Sequence, residues 1–262
     1  MGSEEGTMTL EPTARSLVKV KEYLDKLLEV AGLDETGNGL VVGGQPEVSK
    51  VGLAVNCSFQ AIEGAIERGC DLLITHHAAW TTTDAYLAQQ KYDRLRQQGL
   101  NLYAAHDCLD LARDLGTADA LARAVRVAIQ SPFKPDGEAA FGVHGLTVGN
   151  FSEFVVRVGN RLGSKVRAWK NTDSFGHVGI IAGWGGRPEW MASAQEQGCD
   201  TILTGEALMF GLLFAKEAGL NLVVAGHYAT EIPGMMALST RIAQDLGLDV
   251  TFIPEEMVEA RR

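Results

Sequence analysis

The chain reads as an α/β protein of two similar lobes, an internal repeat with mixed or parallel sheets and a metal site between the lobes. Three observations point there. First, VGLAV from Val51, GCDLLITHH from Gly69 and GLNLYAAHDCLD from Gly99 are echoed by VGIIAG from Val178, GCDTILTGE from Gly198 and GLNLVVAGHYATE from Gly219; such self-similarity means one architectural unit used twice. Second, apolar β-branched runs alternate with helix-like stretches, the order that gives right-handed parallel crossovers. Third, in each copy those runs end in His, Asp or Glu, and the ends of buried strands are where α/β proteins build sites.

Taken in order, MGSEEGTMTLEP (residues 1–12) is polar and unpatterned and is expected to be disordered, with Met8 a candidate native initiator. Residues 13–31 place Leu17, Val20, Leu24, Leu27 and Leu28 on one face, an amphipathic helix. Gly37 to Gly44 is a glycine-punctuated loop or short strand. VGLAVN is a strand, SFQAIEGAIERG a helix ending near a glycine, and DLLITHH a strand running into a double histidine. TTDAYLAQQKYDRLRQQG reads as one helix, LNLYAAH as a strand and TADALARAVRVAI as another helix. SPFKPDG (Ser131 to Gly137) carries two prolines and a glycine and is the best linker candidate. Strand, helix and short strand follow over 141–169; the second repeat starts from His177, and GHYATEIPGMMALSTRIAQDLG supplies the last long helix. The expected division is a first lobe over 13–130, a linker and central strand–helix segment over 131–177, and a second lobe over 178–262.

A chain of 262 residues suffices for one large domain or two compact halves. Hydrophobic content of 46% and charged content of 21% are ordinary for a globular protein. No apolar run reaches the roughly 18 residues of a membrane span, and no basic n-region precedes an apolar h-region as in an export signal. The formal net charge of −10 argues against a generic nucleic-acid surface, which wants a basic stripe. The four cysteines show no CxxC spacing. Cys70 and Cys199 stand at equivalent repeat positions ahead of strands and read as small buried residues, which fits a reducing cytoplasm.

Four of the six histidines fall in three segments that also carry carboxylates. His76 and His77 are adjacent at a strand end, and neighbours on a strand point to opposite faces, so both serve one site only where the strand stops. His227 and Glu231 are four apart at the start of the last helix, on one face of its first turn; imidazole plus carboxylate suits a divalent transition metal. The competing reading is a carboxylate satisfying the helix dipole beside an exposed histidine. His106 and Asp110 repeat the spacing. Asp110 can bridge two metals; His106 is a candidate catalytic residue, or holds a ligand or bound water. Asp107 reads as a helix-start cap and Cys108 as a spacer. His144 and His177 take no role. The glycine turn GWGGRP (Gly183 to Pro188) is either a nest of backbone N–H groups for an anion or tight strand-to-helix packing. Glu206, equivalent by repeat to His77, is a candidate general acid/base. This inventory is that of a two-metal site with oxygen and nitrogen ligands.

NGLVVGG, ITHH, AHDCLD with the following GTAD, TGE and GHYATE, in that order, resemble the NGG-one-interacting-factor-like dinuclear metal-centre proteins, also known as GTP cyclohydrolase I type 2 homologues. The resemblance runs from about Ser16 to Pro254. It implies a two-lobed α/β fold, a metal pair between the lobes, and a ring-shaped hexamer built from dimers. The family's metal ligands match His76, His77, Asp110, His227 and Glu231. The chain departs from the pattern at Ala78, Ala79 and Trp80 after the double histidine, at Phe210 after the TGE acid, and at Gly37 and Asn38.

The function expected from residues and resemblance together is a metal-dependent hydrolase with two divalent ions per chain (zinc, iron or manganese), a small-molecule substrate and a cyclohydrolase-like reaction. A phosphatase or phosphodiesterase would use the same inventory. The rival class is a non-catalytic metal-binding oligomer acting as scaffold or regulator.

Overall fold

Alternation along the apolar runs builds two sheets, each buried on both faces. The computed structural model describes residues 14–34, 36–135 and 139–256; the expected disordered start, residues 1–12, lies outside them. The first half comprises β1 (Arg15–Ser16), α1 (Leu17–Leu27), β2 (Asn38–Val42), β3 (Glu47–Val48), β4 (Lys50–Asn56), α2 (Phe59–Glu67), β5 (Leu72–His77), α3 (Thr81–Asp84), α4 (Leu87–Gln98), β6 (Asn101–Ala105), α5 (Asp107–Leu111) and α6 (Thr117–Ala124). The second comprises β7 (Ala128–Phe133), β8 (Gly142–Leu146), α7 (Phe151–Leu162), β9 (Arg167–Trp169), β10 (His177–Ile181), α8 (Pro188–Glu196), β11 (Thr201–Thr204), α9 (Met209–Glu217), β12 (Asn221–Val224), α10 (His227–Leu246) and β13 (Asp249–Phe252).

The first large sheet has the order β13-β4-β5-β6-β2 and the second β7-β8-β10-β11-β12-β9; β1 and β3 form a small antiparallel pair. Within the first, β13, β4, β5 and β6 run parallel and β2 is antiparallel. Within the second, β10, β11 and β12 run parallel, with β8 and β9 antiparallel on either side and β7 beyond β8. The consecutive parallel strands β4, β5 and β6, and likewise β10, β11 and β12, are wound with helices between them, which requires both faces to be covered.

Side-chain parity sorts the core. Val51, Leu53, Val55, Leu72, Ile74 and Tyr103 face α1 and α10, where Leu24, Met235, Leu238 and Ile242 meet them. Ala54, Leu73 and Leu102 face α2 and α4 on the other side. In the second sheet Val178, Ile180, Leu203 and Val223 face α6 and α7, while Ile202, Leu222 and Val224 face α8 and α9. Helices α10 and α6 pack on each other and so join the sheets.

Two expected elements differ. The helix expected over 82–99 breaks at Ala85, whose φ is 50°. The Asp84 carboxylate accepts from the Trp80 amide at 3.0 Å and from the Thr83 hydroxyl at 3.2 Å, closing a local turn that competes with helix continuation. The helix expected from Thr117 to Ile129 stops at Ala124. Arg126 at φ 61° reverses the chain, and Ala128–Phe133 becomes an edge strand. Pro132 is tolerated there because an edge strand does not need every N–H in its ladder. Ser131, Pro132 and Phe133 therefore belong to β7. At the other end of the chain, β13 pairs with β4 in the first sheet, after α10 has packed against that sheet.

The α6–α10 contact is close enough to need a glycine. A Cβ on Gly234 would lie 2.9 Å from Thr117 Cα and 3.2 Å from its backbone nitrogen. Gly234→Val should therefore destabilise the protein by about 1–3 kcal/mol, the usual cost of overpacking. Urea unfolding checks this, and unchanged stability would show that the two helices are not held at this distance.

Candidate metal centre

The site lies where the carboxyl end of the first parallel triplet meets the start of α10. His76 and His77 are the last two residues of β5. His76 has the parity of Leu72 and Ile74 and points inward, only 1% exposed; its Nδ1 lies 2.8 Å from the Ala105 carbonyl at the end of β6. A carbonyl only accepts, so Nδ1 carries the proton and donates, leaving the Nε2 lone pair turned to the site. His77 Nδ1 sits 2.8 Å from Asn56 Oδ1, the residue opposite it in β4, and the same logic frees its Nε2. Asn56 is itself held by Glu255, whose buried carboxylate accepts from the Asn56 amide at 2.9 Å and the Ser58 hydroxyl at 2.6 Å.

From the other side, His227 opens α10 and Glu231 follows one turn later. His227 Nε2 is 2.9 Å from Glu231 Oε1, and His227 Nδ1 is 3.2 Å from Glu206 Oε1. Glu231 Oε1 also lies 3.5 Å from His76 Nε2 and 3.7 Å from His77 Nε2, while Asp110 Oδ1 is 3.7 Å from His76 Nε2 and accepts the Thr117 hydroxyl. The structure thus brings all five expected ligands, His76, His77, Asp110, His227 and Glu231, into one cluster. His106 joins them, its ring 5.0 Å from that of His76 and 5.5 Å from that of His77. Glu206 stands at the edge, half exposed, against the outer nitrogen of His227.

Neighbouring expectations sort themselves. Asp107 does not cap α5 with its side chain. His106 occupies the cap position, and the Asp107 carboxylate lies 3.0 Å from His106 Nδ1. Cys108 is a core residue whose amide donates to Asn38 Oδ1 at 2.8 Å. The glycine turn is a packing device. Its amides are consumed internally, Gly183 on Thr230, Gly185 on Thr204 and Gly186 on the Glu206 carbonyl. Gly183 has φ 60°, and a Cβ there would collide with Glu231 Oε1 and approach His227 Nε2 to 3.0 Å.

Burial and proximity reshape the titration of this cluster. Burial alone would depress His76, but Asp110 and Glu231 override it and raise its pKa to about 10. Burial lowers His77 to about 3, against the pull of Glu231 and with the help of the neighbouring imidazoles. Burial pushes the Asp110 carboxyl up, opposed by His76, His106 and Thr117. Burial also works against Glu231, yet His76, His227 and His77 hold it well below the usual carboxylate range. His227 is raised by Glu231 and Glu206 in spite of its burial.

Two cavities open on the cluster. One of about 450 Å³ is lined by Asn56, His77, Trp80, Lys91, His106 and Glu206 among others. Another of about 230 Å³ is lined by His106, Asp110, Phe141, Ile181, Trp184 and Trp190 among others. The second draws its apolar wall from the second sheet and its loops, so the site lies between the two sheets. Trp80, one of the departures from the family pattern, packs edge-on against His106 and His77 at 5.2 and 6.0 Å and donates to the Thr36 carbonyl. Phe210, another, is 68% exposed.

The model of the Duf34/NIF3 (NGG1p interacting factor 3) family matches residues 16–257. The chain belongs to this family. It is 31% identical over 226 residues to a GTP cyclohydrolase 1 type 2 homolog of Deinococcus radiodurans, covering 84% of this chain and 85% of that one. It is 33% identical over 238 residues to the Escherichia coli K12 protein of the same name, covering 87% and 93%. Among solved structures, the protein ybgI superposes with a TM-score of 0.83 at 26% identity, covering 91% and 98%. TTHA1606 from Thermus thermophilus does so at 0.79 and 26%, covering 94% and 100%.

Whether the cluster suits the metals this NIF3 family resemblance implies is decided by its own atoms. Glu231 Oε2 is buried without a hydrogen-bond partner among the described residues. The inner nitrogens of His76, His77 and His227 and two carboxylates face one space. His77, His227 and Glu231 offer ligand atoms within 4.8 Å of one another, as do His76, His77 and His106. The donor set fits a divalent ion. Sequence reasoning missed Asn56 and Thr117 as supports. For Asn56 a signal existed: a polar residue closes VGLAVN as histidines close LLITHH, on the neighbouring strand.

Without metal, pH should act on this cluster from both sides. His76 holds its proton to about pH 10 when folded, against 6.5 when unfolded. The stability it contributes is therefore complete below pH 6.5 and lost as pH rises through 10. His77 stays neutral down to about 3, against the same 6.5, so its effect is lost as pH falls from 6.5 to 3. Chelator-treated protein should have its highest melting temperature near pH 6.5, and a curve flat from there to pH 10 would contradict the His76 assignment.

Proposed function

We propose that this NIF3-family protein holds two divalent transition-metal ions with His76, His77, Asp110, His227 and Glu231 and acts as a metal-dependent hydrolase on a small molecule. The observation that carries the reading is the buried Glu231 carboxylate, whose Oε1 faces three imidazoles while its Oε2 has no hydrogen-bond partner among the described residues. Zinc, iron and manganese all suit this nitrogen and oxygen set. Such ions, when bound, act as Lewis acids and make water a nucleophile at neutral pH.

The chain's own residues supply orientation and proton handling. Ala105, Asn56 and Glu206 fix the outer nitrogens of His76, His77 and His227, so each inner nitrogen is presented without reorganisation. His106 lines both cavities, and with Nδ1 against Asp107 its Nε2 is the atom placed to take or give a proton. Glu206 acts on the reaction through His227, as a positioning residue that also lines the larger cavity. The name shared by the relatives makes hydrolytic opening of a purine nucleotide ring the first reaction to test. The resemblance also supports a homohexamer, and exposed Leu208, Met209, Phe210 and Leu213 offer apolar surface for self-association. Light scattering should give the mass of six chains.

Asp110→Ala combined with Glu231→Ala should empty the site while leaving the far-ultraviolet circular dichroism unchanged. Elemental analysis should find two metal equivalents fewer per chain in the variant than in the wild type; equal content would refute the ligand assignment. His106→Asn should keep its metal and lose about 10²–10⁴-fold in kcat on whichever nucleotide or phosphoester is turned over. Wild-type levels of turnover in that variant would remove His106 from the chemistry.

A further inference from the structure

At the opposite end of β10 from the metal centre, three potential ligands that the proposed reaction does not use come together. His177 opens β10, His144 lies on the antiparallel neighbour β8, and Cys199 precedes β11. In the register of β8 and β10, His144 stands opposite Gly179. His177 and Gly179 are two apart and share a face, so His144 and His177 are diagonal partners there. His144 Nδ1 is 2.8 Å from His177 Nε2, with ring centroids 5.0 Å apart. One nitrogen from each ring and the Cys199 Sγ lie within 4.8 Å of one another.

Two glycines make the room. A Cβ on Gly179 would sit 3.3 Å from Cys199 Sγ, in the space the sulfur faces, and a Cβ on Gly198 would sit 3.4 Å from His177 Nδ1. His144 and Cys199 are buried, whereas His177 is partly exposed and leaves a route from solvent. Phe133 of the edge strand β7 closes one side, 6.3 Å from His144 ring to ring. His144 and His177 are held by the ladder between β8 and β10, and Cys199 sits two residues before β11 in a turn fixed by its amide on the Ala194 carbonyl and by the Asp200 amide on the His177 carbonyl.

We propose that His144, His177 and Cys199 form a second metal site, distinct from the pocket between the sheets, that takes one thiophilic ion of the zinc class with solvent as the remaining ligand. Two imidazoles and one thiolate are the borderline-soft set that zinc and cobalt accept, and three protein ligands leave a coordination position open. The site's chemistry differs from that of the main centre in one respect that an experiment reads directly: it contains sulfur.

The test is cobalt. Full-length protein, stripped with chelator and titrated with Co²⁺, should develop a near-ultraviolet thiolate-to-cobalt charge-transfer band whose final intensity corresponds to one thiolate-bound cobalt per chain. The pocket ligands contribute no sulfur, so Glu231→Gln should keep the band. Cys199→Ser should abolish it, and His144→Gln should weaken cobalt binding at this site at least tenfold. Absence of the band in the wild-type protein overturns the proposal whatever the variants do. So does a band that persists in Cys199→Ser, which would place the sulfur at Cys57, Cys70 or Cys108.

Discussion

Like charges and unpaired lone pairs cannot be gathered away from water unless something balances them, and here three inward imidazoles and two carboxylates are gathered. His76 and Glu231 are almost wholly buried, and Asp110 lies between His76 and Thr117. Without a metal the available compensation for the carboxylates is a proton on His76, which is driven far above an ordinary imidazole, while burial and the neighbouring imidazoles drive His77 far below one. A protein that merely needed stability would fill this space with apolar side chains. The surrounding architecture is arranged so that these groups are brought together.

That arrangement uses rigid parts. Two histidines come from the end of one parallel strand, with their outer nitrogens tied to the adjacent strands by Ala105 and Asn56. Another histidine and a carboxylate come from one helical turn that starts as soon as β12 has ended. Gly183 and Gly205 let the turn after β10 and the end of β11 approach that helix where any side chain would strike Glu231 or His227. A site built in this way loses little freedom when a ligand binds, because the ordering was done in folding.

The same β10 carries different chemistry at its two ends. Ile181 borders the pocket between the sheets, while His177, four residues earlier, faces His144. Val178 and Ile180, buried along β10, separate the His144–His177 pair from the pocket between the sheets.

Much of this was legible in the sequence because it depends on local order. Alternating apolar runs, glycines at helix ends and polar residues at strand ends announced an α/β chain with parallel crossovers. The i,i+4 spacing of His227 and Glu231 placed both on one helical face, and the double histidine at a strand end survived intact. Other features depend on contacts between distant segments. Asn56 meets His77 only through strand register; two local contacts escape periodicity as well, Thr117 meeting Asp110 across the turn between α5 and α6 and Asp107 turning to His106 instead of capping its helix. The break at Ala85 and the edge strand at Ala128–Phe133 follow from side-chain bonds and sheet pairing that override local helix preference. Periodicity along the chain therefore determined the elements and the kinds of ligand. Only tertiary packing decided which side chains meet, because a hydrogen bond between residues 199 positions apart, such as Asn56 to Glu255, leaves no periodic trace.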